Sequence, residues 1–229
     1  MNRLHLKLIA ALTMVIDHVA FVFFTRTSDL YSIFRIVGRI SFVLFAYMLA
    51  EGFHKTKDVK KYLLRMGLFA IIIEAFLIGY YLVSNDNMIL QFNIFLTLFS
   101  GLLGLYLFYQ PNQYLKILVI PIIIGAELLS FSYGAYGVLM IILFGISFNK
   151  VTNMLHLIFL NLVFINVPLL STLGLSEYGK FPAIQWYSMM AIGFIFLYNF
   201  KPGKYRLKWF FYIFYPGHIL LLYLIKILI

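Results

Sequence analysis

Long apolar runs follow one another along almost the whole chain, and short polar or Pro/Gly clusters separate them. A membrane hydrocarbon core about 30 Å thick requires about 20 apolar residues in a helix that crosses it. By this measure the runs predict nine transmembrane helices, at residues 4–24, 31–53, 62–83, 88–109, 114–131, 133–149, 153–170, 182–199 and 208–228. Because no repeat or long linker interrupts them, residues 1–229 are expected to form a single domain. The predicted class is an all-α polytopic integral membrane protein.

The composition supports this assignment to the membrane. Hydrophobic residues make up 63% of the 229 positions and charged residues 11%, whereas soluble domains are about 45–50% apolar and about 25% charged. So few charges cannot cover a surface that faces water, and a soluble globular fold is excluded. The chain has no cysteine, which excludes disulfides, thiolate nucleophiles, zinc–thiolate sites and iron–sulfur clusters.

The distribution of positive charge predicts the orientation. A net charge of +10 in a soluble protein would favour nucleic acid as the partner, but in a membrane protein Lys and Arg accumulate in cytoplasmic loops. With the N-terminus inside, thirteen of the eighteen Lys and Arg residues fall on the cytoplasmic side and three on the opposite side. We therefore predict an inside N-terminus, an outside C-terminus and no nucleic-acid partner.

A few polar side chains interrupt the predicted spans. A charge at mid-membrane costs about 2.5–3.5 kcal/mol on insertion scales, so such residues face partners or water and are candidates for function. Asp17 and His18 fall in the outer half of the first span, and Arg35 and Arg39, four residues apart, share one face of the second. The others are Glu74, Asn93, Glu127, Gln185 and His218. Most of these groups converge on one level displaced toward the outside, whereas His156, alone in an apolar span, is expected to bond a neighbouring helix.

Two interpretations of the polar level remain open. On one, Asp17 with Arg35 or Arg39 is only an interhelical ion pair that fixes packing. On the other, the level is an active site, because a neutral imidazole takes a proton near pH 7 and His18 and His218 are then acid–base candidates. Adjacent helical residues point about 100° apart, so Asp17 is expected to hold an arginine rather than His18. No tight ligand spacing surrounds the histidines, and no metal site is predicted.

A basic segment at the predicted cytoplasmic face is a second candidate site. It consists of Glu51, His54, Lys55, Lys57, Lys60, Lys61 and Arg65, and a later loop adds Lys204 and Arg206. Topology and attraction to anionic lipid headgroups are sufficient to explain such charge. The alternative is a binding site for the phosphates of a nucleotide-like cofactor.

Several short strings, taken in order, resemble the TraX family, membrane proteins linked to N-acetylation of conjugative pilin. They are Thr13-Met-Val-Ile-Asp17-His18, Arg35-Ile-Val-Gly-Arg39-Ile-Ser-Phe-Val-Leu-Phe-Ala46, Glu51-Gly52, Lys60-Lys-Tyr-Leu-Leu-Arg65, Asn93-Ile-Phe-Leu-Thr97, Ala126-Glu127 with Tyr133-Gly-Ala-Tyr-Gly137, and Tyr212-Ile-Phe-Tyr-Pro216-Gly-His218. The resemblance runs from about residue 4 to 225. Gly217 departs from the family pattern, in which a larger apolar residue is expected.

The resemblance implies a membrane-bound acetyltransferase, related to the transmembrane acyltransferases, in a bacterial cytoplasmic membrane. Its donor would be cytosolic acetyl-CoA, with the phosphates at the basic segment. Its acceptor would be the N-terminal amine of an exported peptide, lipoprotein or pilin-like protein, with a glycan hydroxyl as second choice. His18 would take the amine proton, with His218 as the alternative base, and an acyl-histidine intermediate stays open. Arg35 or Arg39 would stabilise the developing oxyanion or merely neutralise the buried carboxylates.

Two other functions fit the same residues. A transporter would use the buried ion pairs as a proton or substrate pathway, although an odd number of spans without repeats argues against it. A non-enzymatic subunit of a secretion or conjugation apparatus would need none of this chemistry and would have no affinity for CoA.

Overall fold

The structure is a computed structural model that describes residues 1–84, 93–147, 149–166, 183–204 and 210–228. All regular secondary structure in these ranges is helical. The helices are α1 (Arg3–Phe23), α2 (Asp29–Lys55), α3 (Val59–Ser84), α4 (Ile94–Phe108), α5 (Gln113–Ile117), α6 (Val119–Leu128), α7 (Gly134–Ile146), α8 (Lys150–Asn166), a 3₁₀ helix (Ala183–Met190), α9 (Ala191–Leu197) and α10 (Phe210–Leu228). The predicted all-α class is confirmed for the described part of the chain.

Polar residues just before the helices explain where several of them begin. The first N–H groups of a helix lack partners within it, and a Ser, Asp or Asn side chain placed before them accepts one. These caps are Asn2, Ser28, Asp58, Asn93, Asn112 and Asn149, each accepting a backbone N–H two or three residues ahead.

The cap of α3 makes its first turn sensitive to pH. The backbone N–H of Lys61, 2.9 Å from Asp58 Oδ1, holds the pKa of the Asp58 carboxyl below its usual range. This local stabilisation is present above the usual pKa and is lost as the pH falls through the lowered one. We expect the hydrogen-exchange protection factor of the Lys61 amide to fall in acid, and to change less with pH in an Asp58→Asn variant. Equal pH dependence in both proteins would contradict this role.

Within the described part of the chain, three helices are long and apolar enough to cross a membrane: Arg3–Phe23, Asp29–Lys55 and Val59–Gly79. They coincide with the first three predicted spans. Shorter apolar helices occupy Ile94–Phe108, Gly134–Ile146, Lys150–Ile165, Ala183–Leu197 and Tyr212–Leu228. Parts of the predicted spans, at 88–92, 148, 167–170, 182 and 208–209, lie outside the described residues. The chain is a membrane protein, and its nine spans and their orientation stay predictions.

The fifth predicted span, 114–131, differs from the prediction because it is not one helix. Helices α5 and α6 divide it and meet at Leu118. Pro121 accounts for the interruption, since it has no N–H for the carbonyl of Ile117 and its ring would collide with that carbonyl in a continuous helix. Neither helix is long enough to cross a bilayer by itself.

The chain forms two compact units, and helix α2 contributes residues to both. The first unit comprises Met1–Phe45 and Pro182–Ile229. Within it α1 packs against α10. Two hydrogen bonds hold the N-terminal residues in this unit. The Met1 amine donates to the carbonyl of Leu197 (2.9 Å), and the backbone N–H of Arg3 donates to the carbonyl of Lys201 (2.9 Å).

The second unit, Ala46–Phe181, has α4 and α7 at its centre. Glycines let these two helices approach closely, because a Cβ on Gly101 would overlap Ile141 and one on Gly145 would overlap Leu105. A hydrogen bond from Tyr136 to the amide oxygen of Asn161 (2.8 Å) joins α7 to α8.

Candidate active site

A charged cluster lies in the first unit, where α1 meets α2. Asp17 accepts one hydrogen bond at each carboxylate oxygen, from Arg35 at Oδ2 (2.5 Å) and from Arg39 at Oδ1 (2.9 Å). Arg39 also donates to Gln185 Oε1 (3.3 Å) on the 3₁₀ helix. The expected pairing of Asp17 with an arginine is confirmed, and it involves both arginines. The buried cluster carries one net positive charge.

Gly38 makes room for the Asp17 carboxylate between the two arginines. A Cβ on Gly38 would overlap the Asp17 side chain. A glycine inside a helix costs roughly 0.5–1 kcal/mol relative to alanine, so its place here follows from the close approach of α1. This role of Gly38 was not predicted from the sequence, although the spacing Arg35-x-x-Gly38-Arg39 carried the signal.

Two buried histidines, 200 positions apart, are in direct contact in the same unit. His18 Nδ1 lies 2.6 Å from His218 Nε2, and the two ring planes differ by 7°. His18 and His218 are each 8% exposed. The edge of Tyr215 packs against both imidazoles, with centroids 6.2 Å and 5.6 Å away. Both residues are acid–base candidates from the sequence, and the structure brings them together.

Helix α10 carries His218 two residues after a proline. Pro216 cannot donate the helical hydrogen bond to the carbonyl of Tyr212, yet α10 continues through Pro216 and Gly217. His218 Nδ1 lies 2.7 Å from the carbonyl oxygen of Phe214, one turn earlier. The side chain is therefore oriented by its own helix as well as by His18.

The remaining members of the predicted polar level belong to the second unit and make local contacts there. The amide of Asn93 donates to Glu74 (2.7 Å) and to the carbonyl of Ala70 (3.0 Å), which joins α3 to the start of α4. Glu127 Oε2 accepts the N–H of Ala135 (2.9 Å) at the start of α7. Their assignment to an active site stays a prediction.

The turn before α7 shows why Glu127 reaches that position. Ser130, Tyr133 and Gly134 all have positive φ, and a Cβ on Gly134 would overlap the carboxylate of Glu127. The turn therefore folds back onto Glu127, a capping contact that was not predicted from the sequence.

The basic segment between α2 and α3 is partly occupied by contacts of its own. Lys55 pairs with the fully buried Glu51 (2.6 Å), and His54 Nε2 lies 2.7 Å from the carbonyl oxygen of Gly145. Arg65 lies over the ring of Tyr62, with its guanidinium carbon 5.5 Å from the centroid. Its exposed lysines are Lys55, Lys57, Lys60 and Lys61, and Lys204 is exposed in the later loop. Arg206 lies outside the described residues.

The imidazole of His156 on α8 lies near the backbone of Leu143 on α7. Its Nδ1 is buried without a hydrogen-bond partner among the described residues, so the expected bond to a neighbouring helix stays a prediction. Gln185, one of the polar side chains that interrupt the predicted spans, is 1% exposed and contacts Arg39. Nothing in the spacing of the chain indicated that contact, because 146 positions separate the two residues.

The fold and the site define an all-helical membrane protein with a buried ion cluster and a histidine pair. The chain matches the family model described as "TraX protein" over residues 2–226. It therefore belongs to the TraX family.

One curated relative is similar over a shorter region. It is described as "Probable fimbrial assembly protein FimC, serogroup H1", from Dichelobacter nodosus, and is 36% identical over 75 residues. The match covers 33% of this chain and 31% of that protein, so it spans about a third of the relative. No solved structure matches the chain.

Proposed function

We propose that this member of the TraX family is a membrane-bound acetyltransferase. It transfers an acetyl group from cytosolic acetyl-CoA to an acceptor on the outer side of a bacterial cytoplasmic membrane, which it crosses several times. The observation that carries the proposal is the buried contact of 2.6 Å between His18 and His218 beside the Asp17 cluster. A paired, desolvated imidazole next to fixed positive charge is suited to deprotonating an amine and stabilising an oxyanion.

The acceptor is the N-terminal amine of an exported polypeptide. The family's link to pilin and the fimbrial description of the curated relative support a pilin-like protein. An exported peptide or lipoprotein offers the same amine. A glycan hydroxyl is the second choice, because it too needs a base to remove its proton.

The chemistry requires one base and one oxyanion partner from this chain. A histidine of the pair removes the proton as the amine nitrogen bonds the acetyl carbon, and the carbon–sulfur bond then breaks. Arg35 is the better oxyanion partner, because its side chain is 23% exposed against 9% for Arg39. Asp17 holds both guanidinium groups in place before the reaction, so little reorganisation is needed.

The basic segment fits the phosphates of CoA. Exposed ammonium groups suit phosphate as point charges, and Lys57 and Lys60 are exposed beside Lys61. Lys61 is 3.5 Å from Asp58 and has an 85% exposed side chain, which leaves it accessible to a ligand. Glu51 is fully buried against Lys55 and is suited to positioning that lysine rather than to touching a phosphate.

Acetyl transfer is tested with purified protein in detergent, labelled acetyl-CoA and a peptide with a free N-terminus. We expect label in the peptide and direct binding of CoA. The second candidate, a non-enzymatic subunit of a fimbrial or pilus apparatus, is favoured by the curated relative's description. It predicts neither transfer nor CoA binding, and that result would replace the enzyme by the subunit.

Neutralising the exposed lysines should weaken CoA binding. In a Lys57→Gln, Lys60→Gln, Lys61→Gln variant we expect the Kd for CoA to rise about tenfold, because three exposed charge contacts together contribute on the order of 1–2 kcal/mol. Isothermal titration would measure this, and added salt should reduce the difference between variant and wild type. Lys226→Gln, on the predicted outer side, is the matched control. An unchanged Kd in the triple variant would remove the segment from the site.

A further inference from the structure

The hydrogen bonds of the histidine pair define where the protons lie. His218 Nδ1 faces the carbonyl oxygen of Phe214, and because a carbonyl only accepts, this nitrogen carries the proton. In a neutral imidazole the other nitrogen then holds the lone pair, so Nε2 of His218 is an acceptor. The hydrogen in the contact of 2.6 Å therefore belongs to Nδ1 of His18. In neutral His18 the lone pair is on Nε2.

We infer that the two histidines form a proton relay with His18 as the base and His218 as the second proton carrier. The inference rests on the acetyl transfer proposed above. As the amine nitrogen bonds the acetyl carbon, its proton moves to Nε2 of His18, and the Nδ1 proton of His18 moves to Nε2 of His218. The carbon–sulfur bond breaks, and the protons return by the same path to give the CoA thiol and the neutral pair.

Electrostatics favours moving the charge away from His18. This residue follows Asp17, whose carboxylate is shared by two guanidinium groups. A further positive charge on His18 would add to the net positive charge of that cluster. On His218 the charge is stabilised by the carbonyl of Phe214, which accepts the Nδ1 proton. Near-parallel rings, 7° apart, keep the transfer path between the two nitrogens short and in plane.

The proton positions can be measured independently of activity. With isotope-labelled histidine nitrogens in the purified protein, we expect NMR to show protons on Nδ1 of both His18 and His218. A scalar coupling between His18 Nδ1 and His218 Nε2 should report the hydrogen bond and disappear in His218→Leu. A proton on Nε2 and a lone pair on Nδ1 of His18 in the wild type would overturn the relay.

The transfer step is tested with His218→Gln. Its amide oxygen can accept from His18 but cannot take up a proton, so we expect acetyl transfer to slow about a hundredfold. In this variant the rate should fall linearly as the deuterium fraction of the solvent rises. In the wild type it should follow a quadratic curve, which indicates that two protons move in the transition state. His218→Leu, which also loses the acceptor, should be slower still.

A control variant and two contrary results distinguish failure of the proton relay from failure of the proposed acetyl transfer. His156→Gln alters a histidine of the second unit, outside the proposed site, and should keep the wild-type rate. Wild-type rate and isotope dependence in His218→Gln would overturn the relay alone and leave the acetyltransferase standing. Absence of acetyl transfer in the wild type would overturn the proposed function and the relay with it.

Discussion

A His18→Asn variant should lose acetyl transfer by about 10²–10⁴-fold while remaining folded, the range that a positioned general base contributes. The asparagine amide can place an N–H near the position of Nδ1 of His18 and so keep the hydrogen bond to His218. It has no basic nitrogen, and an attacking amine would keep its proton. The measurement is kcat with labelled acetyl-CoA and a peptide amine, beside a thermal unfolding curve of the same preparation.

The control for this prediction is a second histidine on the same helix, α1. His5 is exposed near the start of α1, and His5→Asn should retain the full rate. Substituting His18 by alanine removes the hydrogen bond to His218 as well, so His18→Ala should be less stable than His18→Asn and equally inactive. Full acetyl transfer by His18→Asn would exclude His18 as the base.

Ion pairing in the charged cluster could be predicted from the sequence, because the cost of buried charge requires it. A carboxylate and two arginines inside apolar spans must find partners, because an unpaired charge in hydrocarbon is costly. The spacing of four residues between Arg35 and Arg39 put both on one face of α2. The binding of both arginines by Asp17 could not be predicted in this way, because the second contact depends on how closely α1 approaches α2.

Contacts between segments that are far apart in the chain could not be predicted from the sequence. His18 and His218 could be named as residue types suited to acid–base chemistry, but their hydrogen bond depends on the packing of α1 against α10. Glu127 was assigned to the polar level by depth alone. Its contact with Ala135 requires the positive φ angles of the turn before α7, which apolar periodicity does not encode.

The helical class followed directly from composition, whereas helix continuity did not. A hydropathy window of about 20 residues averages over Pro121 and therefore does not detect the break that a proline causes. In the structure α5 ends at Ile117 and α6 begins at Val119, two residues before Pro121, because the proline has no N–H for the carbonyl of Ile117. Hydropathy therefore located the apolar segments, and local backbone chemistry decided how they are divided.

Adding a single methyl group at Gly38 is expected to lower both stability and activity strongly. Gly38→Ala would place a Cβ where the Asp17 side chain now lies. In an ordinary helix interior this change stabilises by roughly 0.5–1 kcal/mol, but here Asp17 must move and leave Arg35 and Arg39 without their anion. Breaking a buried ion pair in this way costs about 3–5 kcal/mol. We expect a lower Tm in detergent and loss of acetyl transfer.

Gly193→Ala is the matched control, because no atom of the described residues outside its own helix backbone lies within 4 Å of a Cβ at that helical glycine of the first unit. It should be neutral or slightly stabilising. A Gly38→Ala protein with wild-type Tm and activity would show that the close approach of α1 and α2 is not required.

A double-mutant cycle separates the clash from any other effect of the methyl group. Asp17→Ala removes the carboxylate and should destabilise by itself, because the buried Arg39 and the partly buried Arg35 lose their anion. If Gly38→Ala acts only by displacing Asp17, it should add almost nothing in the Asp17→Ala background, and the coupling energy should nearly equal the effect of Gly38→Ala alone. Additive effects would instead locate the cost in helix α2 itself. The cycle thus tests whether Gly38 acts by leaving space for the Asp17 carboxylate between Arg35 and Arg39.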